Sequence, residues 1–178
     1  SETHDSINQL RSIRRQVEEW EKRSAGHSSA EAVSSQAGPL KENLSAIENV
    51  PISFYDHIML NGPKRNEQID NMITTVRNMG RAGIPIFGYH WMPSMVWRTP
   101  PKLIRGGAVA TTFDYKVAMQ MPLTHDREYT EDEMWQNLEY WIRIITPIAE
   151  EEGIRLGIHP CDPPVEILGG IPQLFRSY

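Results

Sequence analysis

Three short apolar runs in this chain each stop at residues able to do chemistry. The first ends at Glu48 and Asn49, the second at Tyr89, His90 and Trp91, and the third at His159, Cys161 and Asp162. Scattered surface composition would spread such residues among helices; gathered where apolar runs end, they form the pattern of a site. Imidazoles and carboxylates placed together can move protons or hold a divalent cation. The sharpest segment is His159-Pro160-Cys161-Asp162-Pro163-Pro164. Its prolines stiffen the backbone and remove donors, so His159 stands on a rigid turn, as a metal ligand requires. Asp162 can ligate beside it or orient the imidazole. A buried histidine bonded to a carbonyl is the plainer alternative, and the single cysteine, Cys161, fits inert packing as well as ligation. Trp97-Arg98-Thr99 follows the second run and offers a guanidinium suited to clamping a carboxylate, although most loop arginines are simply solvated. His57 and His125 also fall in loop segments, with weaker claims.

These residues need elements to position them. Residues 6–23 read as an amphipathic helix, with Ile7, Leu10, Ile13, Val17 and Trp20 on one stripe and Asp5 or Ser6 as cap. Residues 24–43, rich in Ser, Ala and Gly around a solvated His27, read as a linker. The domain proper runs over residues 44–178. In it, Leu44 to Pro51 reads as a strand, and 64–81 as a helix buried through Ile69, Met72, Ile73, Val76 and Met79, with Gly80 and Gly83 at its exit. Ile84 to Pro93 reads as a strand buried on both faces. Residues 94–129 form a long irregular stretch. Thr130 opens a capping box with Glu133, starting a helix buried through Met134, Leu138, Trp141 and Ile145, which Pro147 should kink or break and Gly153 should close. Ile154 to Pro160 is the last strand, and another helix is expected to begin near the end.

Strands alternating with helices imply a parallel sheet with right-handed crossovers. Two α/β architectures fit, an open doubly wound sheet or part of a (β/α)₈ barrel. Both place ligands beyond the C-terminal ends of the strands, where the singled-out residues lie. Neither a GxGxxG nor a GxxxxGK[ST] pattern occurs. The 178 residues are 39% hydrophobic and 23% charged, with net charge −5 and no basic cluster, so nucleic acid is not an expected partner. No apolar run approaches the ~20 residues of a membrane span, and one cysteine suits a reducing cytoplasm.

Several segments, in order, resemble the mannonate dehydratases. They are Ile47-Glu48-Asn49-Val50-Pro51-Ile52, Arg77-Asn78-Met79-Gly80-Arg81-Ala82-Gly83-Ile84-Pro85, Gly88-Tyr89-His90-Trp91-Met92-Pro93, Trp97-Arg98-Thr99, Tyr129-Thr130-Glu131-Asp132-Glu133-Met134-Trp135 and Ile158-His159-Pro160-Cys161-Asp162-Pro163-Pro164. The resemblance runs over about residues 44–178 and is weak over 1–43. It implies a TIM-type barrel and the loss of water from D-mannonate to give 2-keto-3-deoxygluconate, in hexuronate (glucuronate) catabolism. It also implies Mn²⁺ or Fe²⁺ as cofactor, with His159 as a metal ligand. Cys161 stands where the family's HPDDPP motif has its first aspartate, and Asp162 retains the second. The chemistry needs a cation for the substrate carboxylate, for which Arg98 is the candidate with Trp97, Glu48, Asn49 and Asp162 around it. It also needs a general acid for the departing hydroxyl, for which His90 and Tyr89 are the candidates.

The family's other metal ligands, a cysteine, a histidine and an aspartate, come from later strands. The expectation is therefore a partial barrel, about three strands where closure takes eight. Its open edges and uncovered inner faces invite association, including as a homo-oligomer. Two other readings compete: a truncated, non-catalytic module, or a sugar isomerase or epimerase on the same barrel. The Trp-Arg-Thr and HPxDPP segments speak against the latter. The chain alone is expected to be inactive.

Overall fold

A computed structural model describes residues 44–48 and 50–177. The helix expected at 6–23, the linker at 24–43 and the side chain of Asn49 lie outside the described residues. Three parallel strands form the central sheet: β1 (Ile47–Glu48), β2 (Ile86–His90) and β5 (Arg155–His159), in the order β1-β2-β5. Between them in sequence come α1 (Asp56–Leu60), α2 (Arg65–Ala82), β3 (Thr99–Leu103), β4 (Val109–Thr112), α3 (Tyr115–Ala118) and α4 (Glu131–Glu151). After β5 the chain forms β6 (Ile167–Leu168) and β7 (Ile171–Pro172).

Alternation along each strand decides which face is core. Ile47, Phe87 and Tyr89 are buried on one side of the sheet, joined there by the half-buried Leu156 and Ile158. Against them pack Ile69, Met72, Val76 and Met79 of α2 and Met134, Leu138, Trp141, Ile145 and Ala149 of α4. Both stripes are those the 3.6-residue period predicts. The opposite face carries Glu48, Gly88, His90, Gly157 and His159, with Glu48 and Gly157 exposed and the other three half-buried. The second strand is therefore buried on one face, where continuous apolar sequence predicts two.

Helix ends follow local chemistry. Gly83 leaves α2 at φ 71°, a left-handed turn that costs glycine little, and Ile84 N–H returns to the Met79 carbonyl at 3.0 Å. At the start of α4 the Thr130 hydroxyl accepts from Glu133 N–H at 3.2 Å, and the Glu133 carboxylate accepts from Thr130 N–H at 2.8 Å. Pro147 does not break α4, which runs unbroken from Glu131 to Glu151. Its ring lies on the exposed side, so the fold loses one backbone hydrogen bond and no core contact.

Three other expectations are corrected. The stretch 94–129 is not irregular throughout: it holds the β3–β4 antiparallel hairpin and α3, whose first turn is capped by Asp114. The segment near the end forms the β6–β7 hairpin in place of a helix. Gly169 and Gly170 make its turn at φ 56° and 83°, and a Cβ on Gly169 would lie 2.6 Å from Thr124 Cγ2. His57 sits within α1, not in a loop.

The capping box generates a prediction. Backbone donation from Thr130, aided by Arg127, holds the Glu133 carboxyl down at about 2, below its ordinary 4.5. A carboxyl depressed in the fold stabilises above pH 4.5, and this contribution is lost as the pH falls toward 2. Thr130→Ala should cost about 1 kcal/mol in urea unfolding at neutral pH. Glu133→Gln should flatten the stability profile across that acid window relative to the unsubstituted chain.

Candidate functional site

The open face of the sheet is where the candidate site residues meet. His90 and His159 close β2 and β5 and are register partners, so their side chains share a face on strands that run side by side. Two residues back, Gly88 pairs with Gly157, and Gly88 also pairs with Glu48. A Cβ on Gly88 would meet Glu48 Cγ at 3.2 Å, whereas one on Gly157 would meet nothing within 4 Å. Two glycines thus leave a recess in the sheet, bordered by a carboxylate and two imidazoles.

The two imidazoles differ. His159 Nδ1 lies 2.6 Å from the Pro160 carbonyl oxygen. A carbonyl can only accept, so Nδ1 is the donor in this bond, the tautomer that turns the Nε2 lone pair outward in the neutral ring. His90 Nδ1 is buried without a hydrogen-bond partner among the described residues. Burial first, and the neighbouring His159 second, push the His90 pKa below its ordinary 6.5, so the ring is neutral near pH 7. Beneath it lies Tyr55, fully buried, whose hydroxyl accepts from His90 N–H at 3.4 Å and whose ring centroid is 5.6 Å from the imidazole. Burial pushes the Tyr55 hydroxyl well above its ordinary value, so it stays protonated.

Tyr55 is held through Gln68 of α2. That side chain accepts from Ile58 N–H at 3.2 Å and donates to the Ser53 carbonyl at 3.0 Å and to Asp56 at 2.6 Å. These bonds tie the turn from Ile52 to Leu60 against α2. Sequence reasoning missed both residues. Their only advance signal is a polar Gln on the buried stripe of α2, which demands partners.

Tyr89 does not join His90. Adjacent residues on a strand point to opposite faces, so Tyr89 is buried in the core, 5.8 Å edge-on to Trp141 and 5.7 Å from Phe87. Burial raises its hydroxyl pKa. Of the two candidates for the general acid, the fold leaves His90 at the open face. Trp91 is buried as well.

Beyond the strand ends, Arg98 and Asp162 meet from two different loops. Arg98 Nη2 lies 2.9 Å from Asp162 Oδ2 and Nη1 lies 3.3 Å from Oδ1, a two-pronged ion pair. Its hydrogen bonds to Asp162 raise the Arg98 pKa further. Trp97 is half-buried and contributes its carbonyl, 3.0 Å from Arg98 Nη1. Glu48 is exposed at the recess. His125 contacts Thr124 at 3.0 Å, in the loop stitched to β6–β7.

Cys161 turns away from this face. It is buried, its backbone N–H meets the Phe175 carbonyl at 3.0 Å, and burial pushes its thiol pKa up. It borders an apolar cleft of about 480 Å³ with Ile158, Pro164 and Phe175. His159 suits a divalent ion through its free Nε2. No group of three or more His, Cys, Asp or Glu able to hold a metal occurs among the described residues. No helix among them is long and apolar enough to cross a membrane.

Known proteins resemble this chain. A family model described as D-mannonate dehydratase (UxuA) matches residues 18–125 and 114–178. The mannonate dehydratase of Streptococcus uberis is 33% identical over 159 residues, covering 75% of this chain and 45% of the relative. That of Streptococcus pneumoniae is 31% identical over 160 residues, covering 75% and 43%. The crystal structure of mannonate dehydratase from Streptococcus suis serotype 2 superposes with a TM-score of 0.62 at 32% identity, covering 74% of this chain and 39% of that one. The chain thus spans under half the length of the curated relatives it matches.

A high thiol pKa and burial predict an unreactive Cys161. In the folded chain it should react with a disulfide reagent at least about tenfold more slowly than in denaturant. Equal rates would place the thiol on the surface.

Proposed function

The chain belongs to the D-mannonate dehydratase family, and on that premise we propose that it carries one side of an active site that dehydrates D-mannonate to 2-keto-3-deoxygluconate. Its three parallel strands with helices on one face are part of a TIM-type (β/α)₈ barrel. The observation that carries the reading is the alignment of His90 and His159 across the ends of adjacent strands, with Arg98 and Asp162 paired in the loops that follow those same two strands.

The reaction removes a proton from the carbon beside the carboxylate and expels the hydroxyl of the next carbon as water. The enol so formed tautomerises to the 2-keto acid. Arg98 holds the substrate carboxylate, with Trp97, Glu48, Asn49 and Asp162 around it. His90, neutral near pH 7, accepts a proton as a base. Once charged, it can give that proton to the departing hydroxyl. Tyr55 fixes His90 through its backbone, and Gln68 fixes Tyr55. His159, its ring oriented by the Pro160 carbonyl, would be the residue of this chain that holds a divalent ion. Mn²⁺ or Fe²⁺ would there supply Lewis-acid stabilisation of negative charge developing on the substrate. The remaining ligands come from residues outside those described. Tyr89 has no part in the chemistry.

The proposed setting is the cytoplasm, in breakdown of hexuronates such as glucuronate. Association into a homo-oligomer is proposed too, supported by Leu103, Ile104 and Val109 standing exposed on the β3–β4 hairpin.

The test uses a chimera in which residues 44–177 replace the matching segment of the Streptococcus suis enzyme, assayed beside the 178-residue chain alone. With Mn²⁺ added, the chimera should form 2-keto-3-deoxygluconate from D-mannonate, and the chain alone should not. His159→Ala in the chimera should lower turnover by at least about a hundredfold, the scale of losing a metal-site contact. His90→Asn should lower kcat by about a hundredfold or more. A folded chimera that isomerises aldoses and leaves D-mannonate untouched would overturn the reading.

A further inference from the structure

Arginine has five N–H donors in a rigid plane, and the structure accounts for three of them at Arg98. Nη1 reaches the Trp97 carbonyl at 3.0 Å and Asp162 Oδ1 at 3.3 Å, and Nη2 reaches Asp162 Oδ2 at 2.9 Å. Asp162 therefore occupies the end of the guanidinium. The donors left over are Nε–H and the second hydrogen of Nη2, neither with a partner among the described residues. These two lie parallel along one edge, spaced as the two oxygens of a carboxylate.

We propose that Asp162 is a positioning residue, which grips the end of Arg98 so that the Nε–Nη2 edge is presented to the substrate carboxylate. This deepens, and rests on, the reading of the site as one for a sugar acid. Asp162 is itself fixed: its backbone N–H points to Sδ of the buried Met92 at 3.1 Å, and prolines follow at 163 and 164. The pair thus bridges the loops after β2 and β5, the two strands that bear the histidines.

The alternative is that Asp162 competes with substrate for the arginine. The donor count speaks for positioning, because a complete two-pronged edge stays free while Asp162 is bound. The exposure speaks the same way. The Arg98 and Asp162 side chains are 41% and 43% exposed, and an ion pair this wet contributes little to stability, so what it provides is direction. A second carboxylate on the far edge feels the repulsion of Asp162 at a distance, screened by solvent, while making two charge-assisted bonds. The arrangement favours an acid over the corresponding neutral sugar.

The experiment follows the Arg98 Nε–H resonance of the ¹⁵N-labelled chain while D-mannonate, or D-mannose as neutral control, is added. D-Mannonate should shift that resonance and D-mannose should not. Asp162→Asn keeps the shape and drops the charge. It should weaken D-mannonate binding about tenfold and broaden the Nε–H signal, with Asp162→Glu partly restoring both. Backbone amide dispersion reports whether each variant is folded. Binding as tight as or tighter than the original in folded Asp162→Asn, with the same Nε–H shift, overturns the positioning role and makes Asp162 a competitor. Arg98→Gln separates the two levels: if it leaves D-mannonate affinity unchanged, the sugar-acid reading itself fails. If it weakens binding while Asp162→Asn does not, only the positioning role fails. No binding by the unsubstituted chain overturns both.

Discussion

The open face of the sheet exists because β2 must bury Phe87 and Tyr89. Both rings lie in the core, and Tyr89 stands edge-on to Trp141 of α4. Burying an aromatic of this size is worth about 1.5–3 kcal/mol. Strand alternation then leaves no freedom: if 87 and 89 face the helices, then 88 and 90 face away. Slipping the register by one residue would sink His90 into the apolar layer and expose two aromatic rings. The hydrophobic layer therefore aims the chemistry. Through the parallel pairing of β2 with β5, the same constraint aligns His159 with His90.

The layer on which this rests is held by buried polar bonds as well as by apolar packing. Gln68 satisfies Ile58 N–H, the Ser53 carbonyl and Asp56 at once, and Asn137 reaches the Met59 carbonyl at 3.0 Å inside the helical layer. An unpaired group in such a place costs about 1–3 kcal/mol, so these side chains specify how the turn after β1 sits on α2 and α4. Ser94 and Thr124 do similar work for the long excursion after β2. The two hydroxyls meet at 2.8 Å and both reach carbonyls of the β6–β7 turn, tying that stretch to the end of the described chain. The exposed Arg98–Asp162 pair is of another kind, since solvent weakens it and its geometry matters more than its strength.

Much of this was legible in the residues. The stripes of α2 and α4 obey a period of 3.6, and Thr130 with Glu133 announces a helix start by itself. The three strand ends stand out in the sequence as a candidate site, because apolar runs ending in His, Glu and Asp depart from scattered surface composition. Less legible was what long-range contact supplies. The β3–β4 hairpin carries two prolines in Thr99-Pro100-Pro101, a poor strand signal that an edge position tolerates. The β6–β7 hairpin depends on Gly169 and Gly170 packing against Thr124 and Leu123, some 45 residues away in sequence. Pro147, expected to kink or break α4, does not end the helix and lies on its exposed side.

The residue types and their local order carried the family resemblance, the helices of the described residues and the parallel strands, and they marked His90, Arg98, His159 and Asp162 as candidates for chemistry. These are short-range facts, set by periodicity, capping and motif. The tertiary structure decided which of them share a face. It separated Tyr89 from His90, placed Tyr55 beneath the imidazole, turned Cys161 into packing and brought Arg98 to Asp162 across 64 residues. A linear sequence leaves such pairings open because strand register and loop docking are fixed by the burial of side chains distant in sequence, and that burial exists only once the sheet and its helices have packed.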